Sequence, residues 1–142
     1  MTASRFLGLD YGAKRIGIAI SDENGSMAFP KEILANDQSF WLKLRVILKN
    51  YKVSEIVIGE SVDFSGKLNP LSGPMEIFIL ELRAKFKMPV HKQKEFLTSV
   101  EARRYIKSEY ADASAAALIL QRYLDKKHKK DKNHSDKNWS IV

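Results

Sequence analysis

The chain has 142 residues, a size that suits one domain, and 44% of them are hydrophobic, which is enough for a packed core and excludes disorder of the whole chain. It contains no cysteine, so disulfides, thiolate catalysis and cysteine-based zinc sites are excluded. No run approaches the roughly 20 apolar residues of a membrane helix, and no signal peptide is visible, so we expect a soluble cytoplasmic protein. The formal net charge of +7 is compatible with nucleic-acid binding, because lysine and arginine displace counterions from phosphates.

Three strands are predicted at the start of the chain. Residues 5–10 and 16–21 are apolar runs, which are typical of strands covered on both faces. A five-residue turn joins them, and its Gly12 can supply a positive φ. An Asn-Gly pair at 24–25, which is common in hairpins, leads to a third strand over 27–34. The first part of the sheet is therefore expected to be antiparallel.

Helices and strands alternate in the rest of the chain. Hydrophobic spacing predicts helices over 39–51 and from Pro74 to residue 86, and apolar runs predict strands at 54–59 and 88–92. Two more helices are predicted, one from near Ser99, where a capping box begins, and one over 112–126. This order predicts an α/β fold with a mixed five-stranded sheet and helices on both faces.

The charged C-terminal segment differs in composition from the rest of the chain. Residues 125–142 contain six lysines and three aspartates and have low complexity. We therefore assign residues 1–124 to one domain and expect residues 125–142 to form a basic, disordered tail.

Three acidic residues stand at ends of predicted elements. Asp10 closes the first strand, Glu95 follows the fifth, and Asp112 opens the last helix. Ligands in open sheets gather beyond the strand ends, so Asp10 and Glu95 are expected to be neighbours. Converging carboxylates can hold the metal ions of two-metal phosphodiester hydrolysis. Each acid also has an ordinary alternative role, as a turn acceptor, a solvated loop charge and a helix N-cap, respectively.

Four sequence blocks match the pattern of one known family. They are LGLDYGAKRIGIAISD at 7–22, EIVIG at 55–59, KEFLTSVEA at 94–102 and DASAAALILQRYL at 112–124. Together they resemble the YqgF/RuvX family of RNase H-like nucleases, which are described as pre-16S rRNA nucleases or Holliday-junction resolvase-like proteins. The resemblance runs from residue 6 to about residue 124 and implies an RNase H-like fold.

The resemblance also implies a site and a function. It assigns the catalytic and metal-binding roles to Asp10, Glu95 and Asp112, with Mg²⁺ or Mn²⁺ as the metal. It assigns substrate-phosphate contacts to Gly12, Lys14 and Arg15, although a solvated basic turn is the alternative for the two cations. The implied activity is metal-dependent phosphodiester hydrolysis that processes the 5′ end of pre-16S rRNA in ribosome biogenesis. The implied partner is nucleic acid, either structured pre-rRNA or branched DNA, and the chain is expected to be a monomer or a homodimer.

Several residues depart from the family pattern. Glu60 replaces the leucine of a Gly-Leu-Pro step, Lys94 and Phe96 replace an aspartate and an arginine beside Glu95, and the loop before Asp112 is short. These changes leave open a catalytically silent nucleic-acid-binding module on the same fold, and a junction-resolving DNA endonuclease is a further alternative. An actin-like ATPase is disfavoured, because 142 residues supply one such domain and no second glycine-rich phosphate loop.

Overall fold

The computed structural model of the chain describes residues 4–62, 72–96 and 109–140. The strands are β1 (Arg5–Tyr11), β2 (Arg15–Ser21), β3 (Ala28–Ala35), β4 (Val53–Val62) and β5 (Val90–Phe96). The helices are α1 (Ser39–Asn50), α2 (Ser72–Phe86) and α3 (Glu109–Ser140). The predicted α/β order is confirmed, while the helix predicted from near Ser99 lies outside the described residues. None of the described helices is both long enough and apolar enough to cross a membrane.

The five strands form one mixed sheet in the order β3-β2-β1-β4-β5. The pairs β1–β2 and β2–β3 are antiparallel, whereas β1–β4 and β4–β5 are parallel. Leu9 of β1 is paired with Ile18 on one side and with Ile58 on the other. Since β1, β4 and β5 are parallel, their carboxyl ends lie at the same edge of the sheet.

Both faces of the sheet are covered, which explains the apolar runs in the sequence. Side chains alternate between the faces along each strand. One face packs against α1 and α2 in a core that includes Leu7, Leu9, Ile56, Ile58, Leu44 and Leu82. The other face packs against α3 in a smaller core of Phe6, Ala19, Val57, Ala116, Ile119, Leu120 and Leu124.

Glycines allow α3 to lie directly on the central strands. A Cβ atom at Gly8 of β1 would stand 2.7 Å from the Leu120 Cβ and 2.9 Å from the Ala116 carbonyl oxygen. A Cβ atom at Gly59 of β4 would collide with the Ile119 side chain. A larger residue at Gly8 would therefore push the helix away from the sheet, whereas at Gly59 the Ile119 side chain would have to move.

The last helix is longer than the sequence predicted. It begins at Glu109 rather than near residue 112, and its backbone is helical as far as Ser140, where a disordered tail was expected. Its contacts with the sheet layer also continue past residue 124, because the Lys127 ammonium lies 4.6 Å from the Phe6 ring centroid and the His128 Nε2 lies 2.9 Å from the Gly25 carbonyl oxygen. Residues 125–140 contain neither glycine nor proline, so nothing in this segment stops the helix. A domain boundary at residue 124 stays a prediction.

Candidate metal and phosphate site

Asp10 lies at the carboxyl end of the central strand. It is the penultimate residue of β1, is paired with Gly17 of β2 and is partly exposed. Alternation along β1 puts it on the same face as Phe6 and Gly8, which pack against α3. Asp10 therefore occupies the α3 face of the sheet, at the edge where the parallel strands end.

Residue 95 lies at the same edge, inside β5. The strand was predicted over 88–92, but it remains paired with β4 as far as Phe96, and Glu95 is paired with Ser61. The prediction that Glu95 follows the strand is therefore wrong, because Glu95 is the penultimate residue of β5. Position 95 shares its parity with His91, whose ring stacks on Tyr123 of α3 at 5.2 Å between centroids. It therefore belongs to the α3 face.

Register gives the separation between these two backbone positions. Ile58 is level with Leu9, and Gly59 is paired with Gln93, so Asp10 is level with residue 93. Residue 95 lies two residues further along β5, about 7 Å at the usual rise of a strand. Because β4 stands between β1 and β5, the lateral separation is about 10 Å.

Asp112 is contributed by the first turn of α3. This helix runs antiparallel to β1, since the Tyr123 ring lies 6.1 Å from the Phe6 ring and the Leu120 Cβ lies over Gly8. Two helical turns before Leu120, position 112 therefore lies beyond Gly8 in the direction of the carboxyl end of β1. Because the helix begins three residues before Asp112, the interpretation of this residue as an N-cap is wrong.

The backbone thus brings positions 10, 95 and 112 to one edge and one face of the sheet. Among the residues that the structure describes, no three His, Asp or Glu side chains form a metal-ligand cluster. Of the three candidate acids, Asp10 is the one whose side chain the structure describes. The candidate donors are all carboxylate oxygens, the ligands that Mg²⁺ and Mn²⁺ prefer. Their chemistry and their common edge fit a hard divalent cation.

The turn after Asp10 requires glycine for a steric reason. The expected positive φ at Gly12 is wrong, because Gly25 is the one glycine with a positive φ (67°) in the described part of the chain. Instead, a Cβ at Gly12 would stand 2.6 Å from the Arg15 carbonyl oxygen. The absence of a side chain lets the two ends of this turn come close together.

Asn36 holds this turn in place, a role that the sequence analysis missed. Its Nδ2 donates to the Gly12 carbonyl oxygen at 2.8 Å, and its backbone N–H donates to the Lys14 carbonyl oxygen at 2.9 Å. Lys14 and Arg15 are exposed. Arg15 begins β2 with the same parity as Ala19, which faces α3, so it lies on the face of Asp10. Arg15 therefore shares the face of the sheet that carries Asp10, and it follows a turn whose backbone Asn36 holds in place.

Two departures from the family pattern fall on the opposite face. Position 60 has the parity of Ile58, which is buried against α1 and α2. Position 94 has the parity of Val90, which belongs to the same core. By strand alternation, neither position shares the α3 face with Asp10.

A polar cluster lies on the α3 face near the amino ends of β4 and β5. The His91 Nε2 is 2.8 Å from the Glu55 Oε1, and the His91 ring stacks on Tyr123. Burial raises the pKa of the Tyr123 hydroxyl, and the nearby Glu55 carboxylate raises it further. The prediction that His91 is a strand residue is confirmed.

Comparison with known proteins identifies close relatives in sequence. Residues 4–126 match the model of the RuvX family, which is described as Holliday junction resolvase. A protein of Sulfurihydrogenibium sp. (strain YO3AOP1) named "Putative pre-16S rRNA nuclease" is 34% identical, with 87% of this chain and 91% of that protein covered. A protein of Geobacillus kaustophilus (strain HTA426) with the same name is 38% identical, with 87% and 99% covered.

A solved structure supports the fold. T. thermophilus RuvC in complex with a Holliday junction substrate superposes with a TM-score of 0.53 at 13% identity, covering 88% of this chain and 96% of that one. The mixed sheet with helices on both faces is therefore the RNase H-like fold. Because the family model matches residues 4–126 of the 142, the chain belongs to the RuvX family.

Proposed function

We propose that this chain is a metal-dependent nuclease that hydrolyses phosphodiester bonds. The observation that carries the proposal is the common edge and face of positions 10, 95 and 112, which come from three separate elements. Membership of the RuvX family supports the nuclease class. The fold itself does not require three acidic residues from separate elements at one edge of the sheet, whereas a metal site does require converging carboxylates.

The carboxylates of Asp10, Glu95 and Asp112 would hold Mg²⁺ or Mn²⁺. The bound metal would supply Lewis-acid stabilisation of the negative charge that develops on the phosphate, and a pair of ions could stabilise both the attacking and the leaving oxygen. The acids themselves would fix the position of the metal by their attachment to a sheet and a helix, which are more rigid than loops.

The turn after β1 would bind the substrate. Lys14 and Arg15 are exposed in the turn and strand that follow Asp10, and their cationic groups suit the non-bridging oxygens of a backbone phosphate. Asn36 fixes the backbone of this turn with two hydrogen bonds, so less conformational entropy is lost when phosphate binds. Gly12 leaves the backbone uncovered for close approach.

The substrate that best fits the relatives is pre-16S rRNA. Relatives that cover most of this chain are named as nucleases of that RNA. We propose that this chain cleaves at the 5′ end of pre-16S rRNA during ribosome biogenesis, which would place it in the cytoplasm. A net charge of +7 is consistent with an RNA substrate.

The test is cleavage of a labelled RNA that carries the 5′ extension of 16S rRNA, with Mg²⁺, Mn²⁺ or EDTA. Asp10→Asn should abolish cleavage while RNA binding in EDTA is retained. The matched control is Asp37→Asn, because Asp37 accepts a hydrogen bond from the Ser39 N–H at the start of α1 and asparagine can do the same. Cleavage by Asp10→Asn at the wild-type rate, or retention of binding without any cleavage by the wild type, would refute the proposal.

A second candidate substrate is a four-way DNA junction. The description of the family model and the fold likeness to junction-bound RuvC favour it. Symmetric junction cutting requires two active sites, so this activity predicts a homodimer, whereas RNA trimming can be performed by a monomer. Junction cleavage by a dimer, with no cleavage of the RNA, would select this alternative.

A further inference from the structure

A groove runs between the edge strand β5 and the middle of α3. It has a volume of about 200 Å³ and is lined by Lys92, Gln93, Tyr123, Lys126 and Lys127. We call it the lysine groove. Because β5 is the last strand of the sheet, the groove opens at the side of the molecule.

The lining of the lysine groove suits an anion. Lys126 and Lys127 are exposed on α3, with the Lys127 ammonium 4.6 Å from the Phe6 ring centroid, and Lys92 makes an ion pair with Glu76. No carboxylate is among the residues that line the groove in the described part of the chain. Gln93 offers an amide N–H, and the Tyr123 hydroxyl stays protonated at neutral pH and can donate.

The lysine groove lies on a direct path from the candidate metal site. Gln93 is two residues from Glu95 along β5, which corresponds to about 7 Å. Lys126 is 14 residues after Asp112 on α3, which corresponds to about 21 Å. The groove therefore leads away from the acids on the face of the sheet that they share.

We propose that the lysine groove binds the phosphodiester backbone of the RNA strand that leads to the scissile phosphate. Two exposed ammonium groups and two neutral donors match the charge and the oxygens of successive phosphates, and their distance from the acids fits a strand that extends beyond the cleaved bond. The nature of the ligand as RNA rests on the proposed function. An acidic peptide would also match the charge, but it has no reason to lie in line with the candidate metal site.

The inference reaches beyond the part of the chain that the family shares. The family match ends at residue 126, whereas α3 continues to Ser140 and the sequence places lysines at 129, 130, 132 and 137. Residues 128–140 contain four lysines and two aspartates, so the sequence after the groove keeps a net charge of +2.

The test compares two double variants. Lys126→Gln with Lys127→Gln removes two charges from the lysine groove, and Lys43→Gln with Lys49→Gln removes two exposed charges from α1 on the opposite face. Binding of a labelled single-stranded RNA is measured in EDTA over a range of salt concentrations. Each single-strand phosphate contact contributes about 0.7 to the slope of log affinity against log salt, so the groove variant should lose about 1.4 in slope, or about 25-fold in affinity at 0.1 M salt. The α1 variant should lose less than about threefold.

Further arms separate charge from folding and from catalysis. Lys126→Arg with Lys127→Arg keeps both charges and should restore binding, and circular dichroism should show the same helix content for all variants. Equal RNA affinity of the groove and α1 variants would overturn the inference, as would groove-dependent binding of single-stranded DNA alone. If the groove variant loses RNA affinity but the wild type cleaves nothing, the groove is an RNA-binding site and the proposed nuclease function fails. If the wild type cleaves RNA and the groove variant has an unchanged KM, the nuclease function stands and the inference about the groove fails.

Discussion

Substitution of Gly8 by alanine should displace α3 from the sheet. The added Cβ would stand 2.7 Å from the Leu120 Cβ and 2.9 Å from the Ala116 carbonyl oxygen. Neither atom can rotate away, because one is fixed to the helix backbone and the other belongs to it. Restoring an ordinary contact of 3.4 Å to the Leu120 Cβ requires a movement of about 0.7 Å.

The cost can be estimated from two opposing effects. Overpacking costs about 1–3 kcal/mol, and the rigid contact at Gly8 puts this variant in the upper half of that range. Alanine in a strand regains about 0.5–1 kcal/mol relative to glycine, because the unfolded chain loses less entropy. The free energy of unfolding should therefore fall by about 1–2.5 kcal/mol. Because α3 also carries Asp112, RNA cleavage should slow by up to about 100-fold.

Urea unfolding of Gly8→Ala and Gly59→Ala provides the assay and its matched control. Both variants add one methyl group under α3, but at Gly59 the colliding atoms belong to the flexible Ile119 side chain. Gly59→Ala should therefore cost less than Gly8→Ala, and Ile119→Val should recover part of its loss. A free energy of unfolding for Gly8→Ala equal to or above that of Gly59→Ala would refute the packing described for this helix.

Three further predictions concern the turns and the titrating groups. Gly12→Ala should lower the melting temperature by several degrees, because its Cβ would meet a carbonyl oxygen at 2.6 Å, and calorimetry of the variant would test this. Hydrogen bonds lower the pKa of Asp22 below its ordinary 3.8, and the largest contribution comes from the Ser26 backbone N–H. The ionised carboxylate therefore stabilises the folded state fully above pH 3.8, and this stabilisation is lost as the pH falls through the lowered pKa. The difference in melting temperature between wild type and Asp22→Asn should therefore shrink below pH 3.8, and a constant difference would contradict it. Burial raises the pKa of Tyr123, so an ultraviolet titration should lose its late-ionising component in Tyr123→Phe and keep it in Tyr51→Phe.

Local patterns in the sequence predicted most of the fold. The apolar runs of β1 and β2 indicated strands buried on both faces, and the Asn-Gly pair at 24–25 indicated a turn, where Gly25 does have a positive φ. The stripe on α1 predicted its buried side, since Phe40, Leu44, Ile47 and Leu48 all lie in the core. These features depend on residues close together in the chain, so the sequence carries them directly.

The remaining features depend on contacts between distant residues. In the sequence, Gly8 and Gly59 are ordinary strand residues. Their role, which is to let α3 approach the sheet closely, depends on the packing of that helix against them. Likewise, Asn36 meets Gly12 across 24 positions of sequence, and β5 extends to Phe96 because β4 offers partners that far. The shared edge of positions 10 and 95 was expected from strand order, whereas the lysine groove depends on how α3 crosses β5.

The most direct test of the central claim is a Mn²⁺ titration of the intact chain by calorimetry, without nucleic acid. Single variants Asp10→Asn, Glu95→Gln and Asp112→Asn are compared with wild type and with Asp37→Asn. The proposed site predicts that each of the three variants Asp10→Asn, Glu95→Gln and Asp112→Asn weakens Mn²⁺ binding by at least about tenfold, which is the lower end of the loss in metal affinity when a supporting group is removed. The control variant Asp37→Asn should bind Mn²⁺ with wild-type affinity. Wild-type affinity in any one of the three would remove that residue from the site, and wild-type affinity in all three would contradict the existence of a metal site at this edge of the sheet.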